Sequence, residues 1–143
     1  MIKDFAKAWE KNKDELRTFF KENKQEVYCE SYKDLLTVVI DKVINPYLKD
    51  INKEGFNIED IETIDFGDYQ GTIIFTFHID TYQPDINETY YTHVDYGSCA
   101  GCDTLQNIYH YEEELLPNDT QIDDYLSLSL HLIQHIKVFG NDK

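Results

Sequence analysis

Residues 71–80, GTIIFTFHID, alternate without a break. Ile73, Phe75, Phe77 and Ile79 fall on one side of an extended chain, and Thr72, Ile74, Thr76, His78 and Asp80 fall on the other. A period of two marks a half-buried strand, and the chain before it keeps a different period. Phe5, Ala8, Trp9, Leu16, Phe19 and Phe20 recur at near-helical spacing among lysines and glutamates. Tyr32, Leu35, Leu36, Val39, Ile40, Val43, Ile44, Tyr47 and Leu48 then repeat a rhythm of three and four residues. Both stripes predict helices with one apolar face. Ser31 and Asp34 are placed to cap the start of the second, and Pro46 is expected to kink or end it. A chain that turns from helical to alternating period must lay helices on a sheet, so the class is α+β.

The runs IETIDF and NETYYTHVDY flank the central strand and predict a three-stranded antiparallel meander, with GDYQG as a hairpin turn and YQPDIN as a longer connection. Its outer face would display Thr76, His78 and Asp80 beside Tyr91, His93 and Asp95. Beyond it, DTLQNIYHYEEEL predicts a helix that runs to Pro117. IDDYLSLSLHLIQHIKVF predicts a buried last helix, with Asp123 and Asp124 near its start and Lys137 near its end, as the helix dipole favours. The expected architecture is two N-terminal helices, three strands and two C-terminal helices packed on one sheet face. The 143 residues, 41% of them hydrophobic, suffice for one core, so residues 1–143 are read as a single domain.

Charge divides the chain. Residues 1–53 hold 11 Lys/Arg and 10 Asp/Glu, a balance of +1; residues 54–143 hold 2 and 18, a balance of -16. Phosphate binding needs cations to displace counterions, so direct binding to nucleic acid or an anionic membrane is disfavoured. An acidic surface attracts a basic partner, including a nucleic-acid-binding protein whose groove ordinarily takes phosphate; it also simply keeps a small protein soluble. Glu112, Glu113, Asp119 and Asp123 are the candidate contacts. No apolar run approaches the length of a bilayer-spanning helix or a secretory leader. Three cysteines make no disulfide framework and suit a reducing compartment, so the cytoplasm is the expected location.

The densest chemistry lies in residues 96–111, YGSCAGCDTLQNIYHY. Gly97 and Gly101 permit a tight loop, and Asp103 with Gln106 resembles a helix start. Cys99 and Cys102 supply two thiols, whereas zinc takes about four ligands. His131 and His135, four residues apart on a helix, share a face. An antiparallel pairing of the last two helices would set 103 beside 131 and 99 beside 135, assembling Cys99, Cys102, His131 and His135 as a structural zinc site, with His93 or His110 as substitute ligands. HLIQH has Leu132 where a hydrolytic zinc site carries its glutamate, so metalloprotease chemistry is not expected. A redox pair is a second reading, opposed by the nearby Asp95 and Asp103 and by the lack of a thioredoxin-like element order. The third is that the thiols pack as small hydrophobes with no cofactor at all. Cys29 stands alone before the second helix.

YGSCAGCDTLQ resembles the YGSCSGCD signature of small uncharacterised proteins, many from phages and bacteria, differing at Ala100. The resemblance covers residues 96–106, groups Gly97, Cys99, Gly101, Cys102 and Asp103 as one unit, and implies no activity. A short, acidic, tyrosine-rich chain is also similar in character to phage-encoded accessory proteins, which would act in the host cytoplasm. Two functions follow from different classes. One is a non-catalytic acidic binding or inhibitor protein that engages a basic host protein, in one version by imitating nucleic acid. The other is a zinc or thiol protein centred on Cys99 and Cys102. A third option, an enzyme, would use His78, Asp80 and His93 on the sheet face.

Overall fold

Helix α1 spans Ile2–Glu22 and buries Phe5, Ala8, Trp9, Leu16 and Phe20, the stripe its spacing predicts. The computed structural model describes residues 2–23, 31–67, 71–96 and 116–140. A second helical run follows in three parts: α2 over Ser31–Val39, a π-helical turn over Ile40–Ile44, and α3 over Asn45–Asp50. Pro46 therefore does not end the helix. It occupies the first turn of α3, where a missing N–H is least costly, and the chain reaches it through a widened turn in which the Asn45 N–H bonds back five residues to the Ile40 carbonyl. Asn12 of α1 donates to the Val43 carbonyl at 2.9 Å, which ties this turn to the first helix.

The loop after α3 is fixed by one side chain. The Asn45 amide donates to the Phe56 carbonyl at 3.0 Å and accepts from the Phe56 N–H at 2.8 Å. Strand β1, Glu62–Gly67, pairs antiparallel with β2, Gly71–His78, and β2 with β3, Thr89–Tyr96. Ahead of β3, Asp85 and Glu88 close a capping box around the short 3-10 turn Ile86–Glu88.

The expected meander is present, with one strand more. Helix α4 covers Asp119–Gln134, and β4, Lys137–Val138, then pairs with β3, giving a four-stranded sheet in the order β1-β2-β3-β4. The last helix therefore stops short of the predicted end at residue 139. IKVF has the apolar density of a helix, but Ile136 turns into the core while the backbone of 137–138 completes the β3 edge. Asn118 and Gln121 form a capping box at the start of α4. The helix predicted over 103–115 and the turn residues 68–70 lie outside the described residues.

The inner face of the sheet carries Ile73, Phe75, Phe77, Tyr90 and Val94, all buried. The helices cover it. Phe56 meets Phe77 at 4.9 Å and Tyr90 at 5.0 Å between ring centroids, Phe5 lies over Phe56 at 6.1 Å, and Phe20 meets Tyr125 of α4 at 5.3 Å. One contiguous cluster joins these side chains to those of α2 and the π-helical turn.

Candidate functional site

Strand β3 turns Tyr90, Thr92 and Val94 to the core, where they are buried, and leaves His93 and Asp95 exposed on the other face. Its partner β4 is two residues long, with Tyr90 opposite Val138 and Tyr91 opposite Lys137. Continuing that register by two steps sets His93 opposite His135, just past the last ladder pair. The rings meet there at 4.9 Å between centroids, edge to face. His131, one helical turn before His135, stands 4.8 Å from it. Three imidazoles from β3 and the end of α4 are thus neighbours.

Helix chemistry orients the middle ring. His135 is the C-cap of α4, and its Nδ1 lies 2.6 Å from the His131 carbonyl, which also accepts the His135 backbone N–H at 3.2 Å. Only an N–H can meet that oxygen, so in the neutral ring the Nε2 lone pair is left outward. Thr92 makes a parallel anchor, its hydroxyl donating to the Leu132 carbonyl at 2.7 Å. Between the two elements lies a cavity of about 240 Å³ lined by His93, Asp95, Leu128, His131, Leu132 and His135. Asp95 is positioned across the strand, accepting from the Thr72 hydroxyl at 2.7 Å.

The structure therefore brings together His131, His135 and His93, the last named as a substitute ligand. Cys99, Cys102 and His110 lie outside the described residues, as does the helix pairing that would have aligned Cys99 with His135. The apolar run through IKVF predicted a continued helix and so gave no signal for the His93–His135 contact, which the turn from α4 into β4 creates. Among the described residues, no group of three or more His, Cys, Asp and Glu side chains stands ready to hold a metal ion.

The sheet-face trio His78, Asp80 and His93 is not assembled. His93 pairs with Ile74, four residues along β2 from His78, about 13 Å at strand rise. His78 is also engaged. Its Nε2 lies 2.9 Å from Asp60 Oδ2 and its Nδ1 2.9 Å from the Ile79 carbonyl, so both nitrogens face acceptors. The Asp60 hydrogen bond, then the Ile79 carbonyl, raise its pKa above the ordinary histidine value, against a smaller opposing effect of burial. With both nitrogens engaged by acceptors, neither is turned outward to act as a base.

The acidic candidates differ in setting. Asp119 is exposed in the first turn of α4. Asp123 accepts from Arg17 of α1 at 2.7 Å. Glu112 and Glu113 lie outside the described residues. The other Lys/Arg ion pairs among the described residues, Lys11–Asp50, Lys13–Glu10, Lys42–Asp41 and Lys53–Asp4, all join residues within 1–53. No described helix is long and apolar enough to cross a membrane. Compared with family models, curated proteins and solved structures, the chain matches none.

Proposed function

We propose that the protein is a non-catalytic binding protein whose acidic sheet-and-helix part, residues 54–143, engages a basic protein partner, as an accessory or inhibitor protein of phage type would. The observation that supports this reading is the separation of charge. Among the described residues, four of the five Lys/Arg ion pairs join residues within 1–53, and Arg17–Asp123 alone crosses to the acidic part. Glu54, Glu59, Glu62, Asp80, Asp119 and Asp124 are exposed and make no ion pair with a described Lys or Arg. Such a surface raises the encounter rate with a cationic protein and disfavours nucleic acid itself.

The test is charge reversal. Asp119→Lys with Asp124→Lys changes two exposed positions near the start of α4, away from the core. Against a partner isolated on the immobilised protein and then purified, the double variant should bind at least about tenfold more weakly, mainly through a slower association rate. Unchanged affinity after reversal at these acids, and at Glu59 and Glu62 in turn, would remove the proposal.

A further inference from the structure

The two edges of the sheet are finished differently. On one side β3 is followed by β4 and tied to α4 by the Thr92 bond to the Leu132 carbonyl, whereas no described strand lies on the outer side of β1. We propose that β1, Glu62–Gly67, is the docking edge of the acidic part, on which an extended, Lys/Arg-rich segment of the partner adds as a further strand. The inference rests on the acidic-binding reading and deepens it by naming the surface and the mode of contact.

Exposure is the first observation. Thr63 stands opposite Phe75 and Asp65 opposite Ile73. The two β2 residues are buried while Thr63 and Asp65 are exposed, so the helical layer that covers β2 stops short of β1. Glu62 and Ile64 are exposed on the other face, Ile64 at 45%. Every second residue of such an edge turns its N–H and C=O away from the sheet, where a strand laid alongside can pair with them.

Charge is the second observation, and it selects the occupant. Glu62 and Asp65 put a carboxylate on each face of β1, Glu59 is exposed just ahead of them, and residues 54–136 hold no Lys or Arg. Opposite charges on facing strands attract and like charges repel. Pairing with β1 of a second copy would crowd the carboxylates of both chains onto one short ladder, so the edge disfavours its own kind. A cationic strand meets complementary charge on both faces. Ile64, opposite Ile74 of β2, adds an apolar contact between the acids.

The experiment titrates untagged full-length protein, at low ionic strength, with the fluorophore-tagged peptide Lys-Thr-Val-Lys-Lys-Val-Thr-Lys, which presents lysines on both faces of a strand in either chain direction. A second peptide with proline in place of each threonine and valine carries the same charge but lacks those N–H groups. The first should bind, the second about tenfold or more weakly, and Glu62→Lys should weaken the first about threefold or more. Glu62 is exposed, and circular dichroism verifies that the variant is folded. On the native chain, the first peptide should slow hydrogen exchange at alternate amides of β1, those not already paired with β2. Equal binding of the two peptides, or binding without added protection in β1, would overturn strand addition while leaving an acidic surface as the basis of binding. Failure of the first peptide to bind would also overturn it, with the acidic reading judged separately by charge reversal against the purified partner. Self-association of the native chain through β1 would overturn it by making a second copy the occupant.

Discussion

Asn45 uses both ends of its amide on the backbone of Phe56, and Phe56 carries the aromatic cluster over the sheet. Asn45→Ala leaves a backbone donor and acceptor unpaired and should destabilise the fold by about 1–3 kcal/mol in chemical denaturation. A Cβ on Gly55 would approach Asn45 Oδ1 to 2.7 Å. Gly55→Ala should therefore cost less in the Asn45→Ala background than in the native chain, a non-additivity that a double-mutant cycle measures directly. His78 makes a prediction with a sign. Its raised pKa means that the pair with Asp60 contributes stability fully present below about pH 6.5 and lost as pH rises through the folded value. The native chain should exceed Asp60→Asn in stability at pH 5.5 by more than it does at pH 8.5; equal differences at the two pH values would contradict the assignment. None of this was legible in the sequence. The alternation placed His78 on the outer face, but its partner Asp60 comes from a loop eighteen residues earlier, and no periodicity reports a loop contact.

At the scale of elements, α4 is held at both ends by side-chain bonds. The Asn118–Gln121 box satisfies its first turn, and Thr92 of β3 satisfies the Leu132 carbonyl in its last. Asn118→Ala should cost about 1 kcal/mol. Thr92→Val keeps the shape of a fully buried side chain and removes only the hydroxyl, so a loss of about 1–2 kcal/mol would report that single bond. If α4 is registered on β3 through Thr92, this change should also alter the environment of the neighbouring His93 and His135 rings, visible in their imidazole proton resonances. The helical and alternating stripes of α1, α2, β2 and β3 were readable because each buries one face, and burial imposes the period. The π-helical turn and β4 were not. Pro46 reads as a break, whereas the surrounding helix keeps its apolar face by widening ahead of it. IKVF is too short for its period to distinguish strand from helix, and its partner lies more than forty residues away in sequence.

For the whole molecule, the formal net charge of -15 makes self-repulsion a general term opposing the compact state. Screening weakens repulsion between exposed acids more than it weakens the few exposed ion pairs, so Tm should rise with added salt from about 0.01 to 0.15 M, over which the Debye length contracts from about 30 to 8 Å. The sequence displayed the separation of charge in full. It did not show which bases meet which acids: among the described residues, four of the five Lys/Arg ion pairs, Lys11–Asp50 and Lys53–Asp4 with them, stay within 1–53 and only Arg17–Asp123 reaches the acidic part. That pairing leaves much of the acidic part without neutralising cations, and the proposed function rests on it. The most direct test is the dependence of partner affinity on ionic strength, measured with purified partner and full-length protein. A dissociation constant that weakens steeply as salt is raised, with a shallower slope for Asp119→Lys/Asp124→Lys, is the predicted result; an affinity indifferent to salt would contradict an acidic surface as the basis of binding.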